Sequence, residues 1–160
     1  MSLEPIIDKF NRDNTQALEK IMKALTPTCK AVENARKLMF KVNPNNLDKV
    51  KEIEIQVTGH FMQLQEIYSR VYSLKKNKEL AYYQLLKNHA ESNEKVKFVA
   101  TSAEKEAALS VADERRVRDY IDGYLKSAAE CLKTCRNLIN EKKFMSQSSL
   151  TGEEISGGEE

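Results

Sequence analysis

Between Leu47 and Ala90 the chain has no proline, and apolar residues fall at Val50, Ile53, Val57, Phe61, Leu64, Tyr68 and Val71, then at Leu74, Tyr82, Leu85 and Leu86. Steps of three and four sustained over this length place those side chains on one face of an α-helix, which turns once every 3.6 residues. The stretch predicts one amphipathic helix over about 47–90, about 65 Å long at 1.5 Å per residue. Gly59 lies inside it. Glycine in a helix interior costs up to about 1 kcal/mol relative to alanine, so Gly59 marks the place for a bend or a close helix contact.

A second run of the same kind carries Ala108, Val111, Ala112, Val117, Tyr120, Ile121, Tyr124, Ala128, Cys131, Leu132, Cys135, Leu138 and Ile139. It predicts a helix over about 100–144 that ends near Phe144, with Thr101 and Glu104 spaced as a capping box that marks its start or lies just inside it. The polar stretch Asn88 to Lys97 between the two reads as a loop. Upstream, Pro5 suits a first helical turn, and Ile6, Ile7, Phe10, Ala17, Leu18, Ile21 and Leu25 continue a helix over about 6–25. Thr26-Pro27 predicts a break or kink before a segment through Ala31, Ala35, Leu38 and Met39. Asn43-Pro44-Asn45-Asn46 predicts a turn, with Asn46 capping the next helix and Asp48 near its positive end.

The fold expected is therefore all-α: an elongated helical bundle or coiled coil with two long helices (about 47–90 and 100–144) and a kinked N-terminal helical segment. Only 7% aromatic residues, no Trp, 5 Gly and 3 Pro argue against a turn-rich β protein. Residues 1–145 are expected to form a single helical domain. Residues 146–160, rich in Ser, Gly and Glu, have too few apolar side chains to offset the entropy of ordering them and are expected to be a disordered acidic tail. Long narrow apolar stripes are seldom covered by one small chain, so self-association through the long helices is expected.

The 26 Lys and Arg against 24 Asp and Glu give a net charge of +2. Four of the acids, Glu153, Glu154, Glu159 and Glu160, lie in the last eight residues, so residues 1–150 carry an excess of six positive charges that keeps a polyanion partner open. Apolar runs are far shorter than the roughly 20 residues that span a bilayer, and the N-terminus MSLEPIIDKF lacks the basic-then-apolar pattern of a signal peptide. A cytoplasmic protein is expected, in the host cell if phage-encoded, with no membrane partner. The odd set Cys29, Cys131 and Cys135 then reads as reduced thiols.

Motifs for catalysis are scarce: the sequence has no phosphate-cradling Gly-rich loop, GxSxG elbow, HExxH or paired CxxC. No enzyme activity, catalytic residue, metal or cofactor is expected. Cys131 and Cys135 are four apart and face one side of a helix, but His60 and His89 lie on another helix without matching spacing. Small apolar thiols inside the seam are the simpler reading. Glu104, Glu106, Asp113 and Glu114 are read as a solvated face.

The densest chemical feature is YSRVYSLKKNKELAYYQLLK, which sets Arg70, Lys75, Lys76, Lys78 and Lys87 against Glu79 alone among Tyr68, Tyr72, Tyr82 and Tyr83. Cations that neutralise phosphates, beside aromatic faces on which bases stack, are the components of sequence-tolerant single-strand binding. A second cluster, Arg115-Arg116 with Arg118, stands where a helical hairpin would bring it near the first. The alternative is that these cations only solubilise a helix face and the tyrosines pack in the seam.

From Lys75 to Leu86 (KKNKELAYYQLL), through TSAEKEAALSVADERRVRDY, and on along the Tyr, Leu and Cys-bearing run Ile121 to Asn140, residues 70–144 resemble the UvsY recombination-mediator family of T4-type bacteriophages. That resemblance implies a small helical, ring-forming oligomer that binds single-stranded DNA and helps load a recombinase in place of a single-strand-binding protein. Carried over by position, it makes Lys75, Lys76 and Lys78, with Tyr82 and Tyr83, candidates for contact with DNA. It makes the helix over about 117–139 the assembly interface.

Two functions follow as expectations. One is a single-stranded-DNA-binding recombination or repair accessory that assembles through its long helices, tracks phosphates with Arg70, Lys75, Lys76, Lys78 and Lys87, and stacks bases on tyrosine, with a recombinase or single-strand-binding protein as further partner. The other is a structural or adaptor coiled coil, a virion or scaffold component that binds a protein and no DNA.

Overall fold

The computed structural model describes residues 4–93 and 96–153, and these form four helices with no strand among them: α1 (Glu4–Lys41), α2 (Leu47–Glu91), α3 (Ala100–Ser110) and α4 (Ala112–Glu153). The protein is an all-α bundle with long helices. None of them is long and apolar enough to cross a membrane.

The local signals act as their chemistry dictates at the α1–α2 junction. Asn43 turns the chain, its side-chain oxygen accepting from the Asn45 amide at 2.9 Å and its carbonyl from the Asn46 amide at 2.9 Å. Asn46 then caps α2, accepting from the Lys49 amide at 3.1 Å and pairing one of the four N–H groups that a helix start leaves without partners. α2 runs uninterrupted for 45 residues. At Gly59 there is neither a tertiary reason for glycine nor a close contact, since a Cβ built there meets nothing within 4 Å.

Of the break or kink expected at Thr26-Pro27, the break does not occur: α1 passes through Pro27. Proline deletes the N–H that would bond the Lys23 carbonyl, a defect of about 3 kcal/mol in an isolated helix. Leu25, Thr28, Cys29 and Val32 are all buried around it, and their packing holds the helix together against that defect. Thr26 turns its hydroxyl onto the Met22 carbonyl at 3.0 Å.

The second long helix, expected as one piece over about 100–144, is two. Ser110 Oγ donates to the Ala107 carbonyl at 2.8 Å, the acceptor that the Val111 amide would use in a continuous helix. The Val111 amide turns to the Leu109 carbonyl instead, its backbone leaves helical values (φ −107°, ψ 23°), and its side chain is fully buried. Thr101 falls inside α3 and makes no capping box; Val99, extended, is the N-cap without a side-chain bond. α4 continues past Phe144 to Glu153. Of the acidic stretch 146–160, residues 146–153 continue that helix and 154–160 lie outside the described residues.

Contacts divide the chain into two compact units, residues 1–27 with 64–123 and residues 28–63 with 124–160. The first unit has a core of Leu25, Leu64, Val71, Ala90, Ala103, Ala107, Val111 and Ile121. The second has Cys29, Val32, Ala35, Val50, Ile53, Val57, Ala128, Cys131, Leu132, Cys135 and Ile139. Along α2, Val50, Val57, Leu64, Val71 and Lys78 stand seven residues apart, and all are buried. Glu114, Ile121, Ala128 and Cys135 repeat that spacing along α4, again all buried. A seven-residue repeat is the seam spacing of coiled coils.

Candidate nucleic-acid interface

In the first unit the structure brings the two expected basic clusters together and largely neutralises them. Lys75 Nζ lies 3.1 Å from Glu79, and Arg115 reaches the same carboxylate at 3.5 Å, so α4 meets α2 across one acid. Arg70 pairs with Glu66, and Lys87 with Glu91 at 3.8 Å, each one helical turn away. Arg116 and Arg118 pair with Asp113 and Asp119 at 3.2 and 2.6 Å. Lys76 is exposed and makes no ion pair among the described residues.

Lys78, expected to contact phosphate, is only 8% exposed and bonds the 1% exposed Glu114 at 2.9 Å. Its ammonium faces a carboxylate inside the seam. Glu114 is correspondingly not part of a solvated face, and its second oxygen, Oε2, is buried with no hydrogen-bond partner. A buried charge is tolerated where its counter-charge is present and is costly without it.

The tyrosines divide. Tyr82 packs against Phe10 with ring centroids 5.9 Å apart, and Tyr83 meets the edge of Phe98 at 5.9 Å. Both rings are half-buried, and burial, with the Glu106 carboxylate second, pushes the Tyr82 phenol above its usual range. Each ring thus has an aromatic neighbour within the protein. Tyr72 is half-exposed.

The expected assembly stripe is mostly consumed by the chain's own core: Ile121, Ala128, Cys131, Leu132, Cys135 and Ile139 are buried. Val117, Tyr124 and Leu138 are half-buried, and Tyr124 donates its hydroxyl to the Glu33 carboxylate. Tyr120 is 50% exposed.

All three cysteines are buried free thiols, and burial raises Cys29 and Cys135 from 9.0 to about 11. Cys135 Sγ lies 3.6 Å from Met39 Sδ. No group of three or more His, Cys, Asp or Glu gathers with metal-ligating geometry among the described residues. His60 shares a 3.3 Å contact with Gln63, its neighbour one turn on.

Exposed cations are not confined to the densest basic segment of the sequence. Residues 1–27 with 64–123 hold fifteen Lys and Arg against fourteen Asp and Glu, and 28–63 with 124–160 hold eleven against ten. In this second unit Lys49, Lys51 and Arg136 pair with Glu52, Asp48 and Glu54. Lys30, Arg36, Lys37, Lys41, Lys133 and Lys143 are exposed and form no ion pair among the described residues. Lys30, Lys37 and Lys41 share one face of α1 by their spacing of seven and four.

Phe40 projects beside them and is 84% exposed. It adjoins a groove of about 470 Å³ between α1 and α4. Met39 and Cys131 contribute apolar lining, with Arg36, Lys126, Ser127 and Glu130 among its other neighbours, and Arg36 donates to Ser127 Oγ at 3.4 Å across it. Sequence reasoning passed over Phe40, Lys37 and Lys133. The signal was present: Phe40 stands off the helical stripe Val32, Ala35, Met39 and Val42, between Lys37 and Lys41.

The structure is that of an all-α protein of long paired helices, with exposed cations lacking ion pairs among the described residues in both units. No protein-family model, no curated protein and no solved structure matches the chain.

Proposed function

We propose that the protein is a non-enzymatic accessory of DNA recombination or repair that binds single-stranded DNA and works as a homo-oligomer beside a recombinase or single-strand-binding protein. The observation that carries this reading is the set of exposed cations without acid partners, six of them in the unit formed by 28–63 and 124–160. Such charges have no ion pair among the described residues and gain the release of condensed counterions when they meet phosphates. The resemblance of residues 70–144 to the recombination mediators supports the single-strand assignment.

The test is fluorescence anisotropy with labelled oligo(dT) across a salt series. Five engaged cations give a slope of log affinity on log salt of about −3.5, or about a hundredfold loss between about 50 and 200 mM salt. Absence of binding at micromolar protein and low salt would reject the reading. Ile55 and Met62, seven apart on α2 and both exposed, favour the adaptor reading as the second one. It gains if that test fails and light scattering shows a stable assembly that oligonucleotide leaves unchanged.

A further inference from the structure

We propose that the α1–α4 groove of the 28–63/124–160 unit is the track for a single DNA strand, with Phe40 as its stacking platform and Lys37 and Lys133 as phosphate contacts on its two sides. This rests on the single-strand-binding reading above and gives it a location. Three independent features converge there. Exposed cations that form no ion pair among the described residues stand on this part of the unit, Lys37 on α1 and Lys133 on α4 among them, and phosphates would be their counter-charges. The groove is a concavity of about 470 Å³ whose lining includes Met39 and Cys131. And an aromatic ring that could have been buried stands 84% exposed at its edge.

Each feature matches one part of a nucleotide. An exposed phenylalanine offers both faces to a base, and stacking of this kind tolerates any sequence because every base has a π-face. Lys37 lies three residues before Phe40 on α1 and so neighbours it on the helix surface. Lys133 lies seven residues after the groove-lining Lys126 on the same face of α4. Phe144, also exposed, extends that face by a further eleven residues beyond Lys133 and offers a second ring. Arg36 donates to Ser127 across the groove and presents the rest of its guanidinium at the surface. Stacking on Phe40 requires unpaired bases, so the site selects a single strand over a duplex.

The experiment compares oligo(dT) affinity and salt slope for the full chain and three variants: Phe40→Ala, Lys37→Ala with Lys133→Ala, and, as a charge-matched change in the other unit, Lys9→Ala with Lys23→Ala. All five side chains are exposed. Helicity by circular dichroism should stay at the unsubstituted value, which separates lost binding from lost folding. Phe40→Ala should weaken binding about tenfold or more with an unchanged salt slope. The Lys37 and Lys133 pair should flatten the slope by about 1.4, from about 0.7 per lost phosphate contact. The Lys9 and Lys23 pair should stay within about twofold, and duplex DNA should compete poorly. Full affinity in both groove variants would overturn the groove while leaving single-strand binding in place. Equal losses in the groove and Lys9/Lys23 variants would overturn it in the same way. No binding by the unsubstituted chain would overturn groove and function together.

Discussion

Lys78→Met should destabilise the protein by about 3–5 kcal/mol, the usual cost of removing one partner from a buried ion pair and leaving the other charge stranded. The structure supplies the conditions for the upper part of that range. Glu114 is 1% exposed, its Oε1 takes the Lys78 ammonium at 2.9 Å, and its Oε2 has no other donor to fall back on. Lys78 follows Val71 and Leu64 at heptad spacing on α2, and Glu114 precedes Ile121 at the same spacing on α4. One matched pair in an otherwise apolar seam fixes register, because a slide of one heptad would set each charge against an apolar position. Lys78→Met with Glu114→Leu removes both charges and the orphaned oxygen, and should come out between neutral and about 4 kcal/mol more stable than the native pair. Urea titration by far-UV circular dichroism reads both. With a slope of about 1–3 kcal/mol/M, the single variant should lose about 1 M or more from its midpoint and the double variant should regain it. The deficit should persist in high salt, since buried pairs are little screened. A single variant within about 1 kcal/mol of the native protein, or a double variant as weak as the single, would refute the reasoning.

Two further outcomes follow from local environments. The Cys29 and Cys135 thiols, raised from 9.0 to about 11, favour the protonated form when folded, so their contribution to stability is complete below about pH 9 and is lost as pH rises through about 11. Alkylation of the native protein should be slow at neutral pH and complete in denaturant; fast native labelling would contradict the burial. Gly59→Ala should stabilise by about 0.5–1 kcal/mol, because the added methyl meets nothing within 4 Å and alanine loses less backbone freedom on folding. A lower urea midpoint would show a close approach at that point.

Much of the fold was legible because its signals are local. The three- and four-residue steps from Val50 to Val71 gave α2, and Asn43 and Asn46 have side chains that hydrogen-bond the backbone in only a few ways, so the turn and cap fell where expected. The misses came from interactions between distant residues or from competition for one acceptor. Pro27 stays helical because tertiary packing around it outweighs one lost bond. The interruption at Val111 depends on which donor takes the Ala107 carbonyl, and nothing in ALSVAD says that Ser110 wins it. Lys78 was counted as a surface cation because periodicity analysis assigns lysine to the polar face. Its place in a heptad row is visible only once Glu114 is seen opposite.

The same locality explains why the densest basic segment was a poor guide to the exposed charge. A count over Tyr68 to Lys87 includes Glu79 but misses Glu66 and Glu91, two and four residues outside the window, and Glu114 from another helix. The cations of the other unit are scattered along the sequence, from Lys30 to Lys41 and from Lys126 to Lys143, and no window gathers them. The two surfaces therefore differ in what a phosphate must displace. At Arg70 or Lys87 it competes with a carboxylate already in place, an exposed pair worth about 0–1 kcal/mol. At Lys37 or Lys133 it competes only with water and mobile ions. An incoming strand meets the weaker competition in the groove beside Phe40, so mutations there should lower affinity at every salt concentration. Replacing Arg70 or Lys87 should matter least where salt already loosens their pairs.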